Sequence, residues 1–152
     1  MSAELVFMMG SFEATFPTDR HYAKNHMWAL GIGQSMYQFG LSAYAVRLLQ
    51  DVYFLDLTIE AGMPLKSKQE IGSIESKKAE SSLYTPTAGA VVRVNQDLIQ
   101  DPTAINLDKY GAGWMFEMAS DECEFLEPSQ YIEHLNAAWE VAQRTIKGQV
   151  NA

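Results

Sequence analysis

Ile74-Glu75-Ser76-Lys77-Lys78-Ala79-Glu80-Ser81-Ser82-Leu83 is a polar run closed at each end by an aliphatic residue. Short β-compatible stretches on both sides, Glu70–Ser76 and Glu80–Tyr84, make it the tip of a hairpin with the two lysines at its middle. Working outward, Val52–Leu57 alternates as a strand, Thr58–Leu65 follows as another short stretch of the same kind, and Ala90–Val94 follows the breakers Pro86 and Gly89. Further out, Met27–Leu30 and Met36–Phe39 flank Gly33-Gln34-Ser35 as a second hairpin, and Met115–Met118 is a last strand. Short strands at this spacing predict a mainly β sandwich or barrel.

Helices are few. Ser42 is placed to cap a short one whose Tyr44, Ala45, Leu48 and Leu49 share a face. Asp101-Pro102 opens a turn through Ile105, because proline is tolerated at a helix start with aspartate as cap. From Ser129 to Lys147 the residues Ile132, Leu135, Trp139, Ala142 and Ile146 recur at steps of three and four, the stripe of a helix packed on its own sandwich. Residues 1–20 show no clean period and read as an arm or loop. The resulting division is an arm over 1–20, one domain over 21–127 and a packed C-terminal helix over 128–152.

Composition narrows the function. With 152 residues, 47% of them hydrophobic, the chain buries one sizeable core and not two. A net charge of -8 repels phosphate backbones and anionic bilayers, which excludes nucleic acid as a partner. No apolar run reaches the roughly 20 residues of a membrane span, so membrane insertion is not expected. The first residues lack a secretory pattern and Cys123 is the single cysteine, so the expected location is cytoplasmic. His21, His26 and His134 are scattered, and neither a nucleophile elbow, a phosphate loop nor a close-spaced metal set is present. The expectation is a non-catalytic protein.

Taken alone, adjacent lysines at a turn are an ordinary solvated loop. The whole stretch says more. Glu75-Ser76-Lys77-Lys78-Ala79-Glu80-Ser81, followed by Tyr84, Pro86 and Gly89, resembles the Glu-Ser-x-Lys-Ala-x-Ser pattern of the glycine cleavage H proteins. Similar matches run from residue 21 to 135, among them His26-x-Trp28, Gly40-Leu41, Asp51–Leu57, Asp101-Pro102, Tyr110-Gly111 and Gly113-Trp114.

The resemblance implies a lipoyl-domain-like β-sandwich with lipoate attached covalently to Lys78 and with Glu75, Ser76 and Ala79 forming the recognition hairpin. It also implies lipoate-assembly enzymes as partners, with dihydrolipoyl dehydrogenase a further one. A tethered arm suits such a task, because tethering makes successive encounters nearly intramolecular.

Two positions depart from the family. Met27 and Ser82 stand where glycine cleavage H proteins carry carboxylates facing the arm cleft. Losing both removes charge-assisted hydrogen bonds to a cationic aminomethyl group and leaves a thioether wall. The chain is also similar to the H-like lipoate-binding proteins of sulfur-oxidising prokaryotes. The favoured expectation is therefore a lipoyl swinging arm that shuttles sulfur intermediates to a heterodisulfide-reductase-like complex. The alternative is an H protein carrying the aminomethyl group between glycine decarboxylase and aminomethyltransferase.

Overall fold

Strands of two to seven residues cannot bury their apolar faces singly, so these must close on one another. The computed structural model describes residues 3–121 and 123–151, the side chains of 145–151 excepted. It runs β1 (Glu4–Met9), β2 (Phe12–Pro17), β3 (His21–Tyr22), β4 (Met27–Gly33), β5 (Met36–Leu41), α1 (Ala43–Leu49) and β6 (Val52–Leu57). Then follow β7 (Pro64–Leu65), β8 (Glu70–Ser76), β9 (Glu80–Tyr84), β10 (Gly89–Val94), α2 (Gln96–Gln100), α3 (Thr103–Leu107), β11 (Phe116–Ala119) and α4 (Pro128–Asn151).

One sheet has the order β3-β4-β5-β11-β10-β7 and another the order β6-β8-β9. Their inward residues meet in a single cluster, with Phe39, Phe116 and Met118 from the first and Leu55, Ile71 and Ile74 from the second. This is the mainly β sandwich with short helices and a C-terminal helix that the alternation predicts. Gly72 makes the β6–β8 contact possible: a Cβ there would lie 2.0 Å from the Asp56 carbonyl oxygen, a spacing that no side chain survives.

A second cluster joins elements far apart in sequence. Phe7, Met9, Ala14 and Phe16 from β1 and β2 pack with Tyr22, Trp28, Tyr44, Tyr131 and Leu135. The first residues are thus no arm. β1 and β2 pair antiparallel from Glu4↔Pro17 to Met9↔Phe12, across a turn with Gly10 at φ 65. The alternation is hidden in the sequence because the outward positions Val6 and Met8 are apolar too. α2 is also absent from the sequence reading; the Asn95 side chain accepts from Leu98 N at 3.4 Å and starts it. Asp101 does cap, accepting from Thr103 N at 3.1 Å, but with Pro102 between it and α3.

α4 packs through its first two turns. Tyr131 and Leu135 are fully buried, Trp139 is half-buried edge-on to Tyr44 with ring centroids 6.4 Å apart, and Val141 is exposed. The stripe is therefore anchored at its N-terminal end, and the side chain of Ile146 lies outside the described residues. Leu135→Ala is expected to cost about 2–5 kcal/mol in urea unfolding, the range for a buried leucine, and Trp139→Ala less than the 3–5 kcal/mol of a fully buried tryptophan.

Candidate functional site

The β8–β9 ladder ends at the pair Glu75↔Glu80, and the three residues between Ser76 and Glu80 form the tip. Lys77, Lys78 and Ala79 are exposed, whereas Ser76 is buried. That small side chain organises the turn. Its Oγ lies 2.6 Å from the Leu49 carbonyl, to which it donates, and accepts from Ala79 N at 3.1 Å and Lys78 N at 3.3 Å. Ser76 N donates to the Ala79 carbonyl at 2.8 Å, closing the loop.

The tip is also tied to the end of α1. The last carbonyls of a helix have no intrahelical donor. Here Lys77 N donates to Gln50 O at 3.1 Å and Lys78 N to Leu49 O at 3.3 Å. Gln50 and Asp51 have φ of 54 and 46, which turns the chain from α1 into β6 and leaves those carbonyls facing the hairpin. The backbone of both lysines is held while their side chains stand in solvent. Among the described residues, neither lysine is in an ion pair.

Beside the hairpin lies a cleft of about 200 Å³, walled by α1 residues, β4 and β9. Met27 and Ser82 both line it, as do His26, Leu48 and Leu49, and among the described residues none that lines it is acidic. Glu75 and Asp56, the carboxylates of β8 and β6, do not line the cleft. Glu75, Ser76 and Ala79 belong to the tip, Met27 and Ser82 to the cleft, and Leu49 to both.

Sequence reasoning missed two features. The α1 carbonyls carry no side-chain signature, so their part in holding the tip was invisible. Ser42 occupies the N-cap position of α1 but makes no side-chain cap bond; its Oγ instead lies 2.8 Å from Tyr131 Oη. Tyr131 Oη is in turn 2.9 Å from His26 Nδ1. Burial, with His134 nearby as a secondary cause, pushes the His26 imidazole down to about 4, so it is neutral near pH 7.

A two-sheet β-sandwich that presents an exposed lysine on a pinned hairpin beside an apolar cleft is the architecture of a lipoyl-domain-like carrier. The model of the glycine cleavage H-protein family matches residues 20–143, and the chain belongs to that family. A glycine cleavage system H protein of Alteromonas mediterranea is 37% identical over 114 residues, covering 75% of this chain and 88% of its own. One from Stenotrophomonas maltophilia is 39% identical over 123 residues, covering 78% and 93%. The crystal structure of a glycine cleavage system H protein from Mycobacterium marinum superposes with a TM-score of 0.71 at 31% identity, covering 80% of this chain and 99% of that one.

Two outcomes follow from the geometry. Ser76→Ala removes the buried hydroxyl, leaves the Ala79 amide without an acceptor and leaves Lys78 N with the Leu49 carbonyl alone; it is expected to cost about 1–3 kcal/mol and to speed amide exchange at Ala79 most. For His26, an imidazole that resists protonation when folded but takes a proton normally when unfolded makes the unfolded state the better proton binder. Stability should thus be intact above about pH 6.5 and fall by about 3 kcal/mol as pH drops towards 4. His26→Gln should flatten the loss across that window in chemical denaturation.

Proposed function

We propose that this protein is the lipoyl carrier of a glycine cleavage system, with lipoate in amide linkage to Lys78 Nζ. Residues 21–127 are the carrier unit on this reading, with β1, β2 and the first turns of α4 packed on it. The residues present fit the group: an exposed primary amine on a pinned tip, next to a cleft whose wall includes Met27, Leu41, Leu48, Leu49 and Leu83 and so offers apolar surface to an aliphatic chain. Bound lipoate supplies a dithiol that carries the aminomethyl group and electrons between enzymes. The chain itself presents the lysine, restrains the tip and shelters the arm. Glycine decarboxylase and aminomethyltransferase are the expected partners, with dihydrolipoyl dehydrogenase reoxidising the dithiol and lipoate-assembly enzymes attaching it.

The observation that carries this reading is the lysine-bearing tip in its Glu-Ser-x-Lys-Ala register, within a family match spanning most of the chain. It reverses the preference drawn from Met27 and Ser82, since the relatives bear the glycine cleavage name. One observation favours the second reading, a carrier of sulfur intermediates to a heterodisulfide-reductase-like complex: the acid-free lining of the cleft, with a thioether at Met27.

Coexpression with lipoate-assembly enzymes is expected to add one lipoyl mass, lost in Lys78→Arg and kept in Lys77→Arg by peptide mapping. The lipoylated chain is then expected to accept from glycine decarboxylase, with Met27→Glu combined with Ser82→Asp improving acceptance. Each charge-assisted hydrogen bond so restored is worth about 1.5–3 kcal/mol. Modification at Lys77 overturns the site. A fully lipoylated chain inert with glycine decarboxylase overturns the glycine cleavage reading and leaves the sulfur one.

A further inference from the structure

Ser42, Tyr131 and His26 stand in a row, with Ser42 Oγ 2.8 Å from Tyr131 Oη and Tyr131 Oη 2.9 Å from His26 Nδ1. Ser42 and Tyr131 are both fully buried, so each hydroxyl hydrogen needs an acceptor inside the protein. Among the described residues Tyr131 is the one hydrogen-bond partner of the Ser42 hydroxyl. The Ser42 hydrogen therefore goes to Tyr131, and the Tyr131 hydrogen is left with a single acceptor, His26 Nδ1. A neutral imidazole that accepts at Nδ1 carries its proton on Nε2. The opposite order, beginning from Nδ1–H, would strand the Ser42 hydrogen in a closed core.

His26 Nε2 has no hydrogen-bond partner among the described residues, and no buried side-chain nitrogen there is unsatisfied, so this atom meets solvent. His26 lines the cleft. Its backbone is held at φ 73, unusual for a residue with a side chain, by His26 N donating to Ala23 O and Ser42 N to His26 O. The fold sets this imidazole rather than leaving it to drift.

We propose that the Ser42–Tyr131–His26 relay fixes the Nε2–H tautomer and makes His26 an oriented hydrogen-bond donor of the cleft, directed at a lone-pair-bearing sulfur of the reduced arm on Lys78. The arm enters here through the carrier reading above; the relay does not depend on it. Burial keeps the imidazole uncharged near neutral pH, so what it offers is an oriented N–H. An N–H donor opposes an ammonium group and suits a thiol or thiolate, and the neighbouring Met27 and Leu48 give that sulfur an apolar, polarisable wall. Ser42 and Tyr131 are positioning residues; His26 makes the contact.

The test is long-range proton–nitrogen correlation spectroscopy on the nitrogen-15-labelled chain near pH 7.5. In the unlipoylated protein His26 is expected to show a protonated Nε2 and a bare Nδ1, with the preference lost in Tyr131→Phe. A dominant Nδ1–H form in the unmutated chain overturns the relay, whatever the variant does. In protein whose lipoylation is verified by mass, reducing the arm is expected to shift the His26 Nε2–H signal, and a Lys78→Arg chain treated alike should not respond. An unresponsive signal in fully lipoylated, reduced protein overturns the contact. If Lys78 is not lipoylated the carrier reading fails separately, and millimolar free dihydrolipoamide on the unmodified chain then decides the donor: a shift at His26 supports it and none overturns it.

Discussion

The Ser76 hydroxyl, flanked by the Lys77 and Lys78 amides, joins the hairpin to the helix behind it. It closes the tip by meeting the amides of Lys78 and Ala79, and it reaches the Leu49 carbonyl at 2.6 Å. Both halves of that arrangement answer a need. A three-residue tip has amides that point inward and must be paired, and a helix end has carbonyls without donors. Placing one against the other satisfies both and leaves only side chains free. A carrier lysine requires this combination, because an arm sweeping between enzymes gains effective concentration only if its root holds still.

The clamp in turn depends on how α1 is held. Its start is gripped by Tyr110, whose hydroxyl accepts from Ala43 N at 2.9 Å and donates to the Thr15 carbonyl at 2.7 Å. Its flank is covered by the aromatic cluster that includes Phe7, Tyr44 and Tyr131. The N-terminal hairpin and the root of α4 are therefore part of the support of the tip, although they sit across the helix from it. Burial of large rings there contributes rigidity through packing density, since a close-packed interior transmits displacement rather than absorbing it.

What could be read from the sequence was what repeats locally. Alternation placed β6, β8 and β9 at their bounds and found the starts of β4 and β5 while ending both strands short, and the Glu-Ser-x-Lys-Ala register put Lys78 on the tip, where its side chain is exposed. The β1–β2 hairpin escaped because Val6 and Met8 put apolar residues on both faces and blurred the period. Ser42 misled for a different reason: serine before a helix is a cap by local rule, but Tyr131, 89 positions away, engages its hydroxyl. The tip's attachment to Leu49 and Gln50 is made by backbone carbonyls, which every residue has and no motif records. Side-chain chemistry was legible; long-range pairing of backbone and hydroxyl groups was not.

The two departures from the family acquire a meaning in the structure that neither had alone. Met27 is buried in the wall of the cleft and Ser82 lies on the exposed edge strand, yet they border the same space. With an acidic side chain at both, that space would attract a cation from two sides; with a thioether and a hydroxyl it holds no formal charge. The polar edge that remains includes His26, kept neutral by burial, and its hydroxyl partners assign it the role of donor. Charge removal and donor presentation act in the same direction, lowering the affinity of the cleft for an ammonium while retaining it for sulfur. On the proposed carrier reading, a cleft built this way holds the arm by atoms present at every stage of its cycle and leaves recognition of the cargo to the partner enzymes.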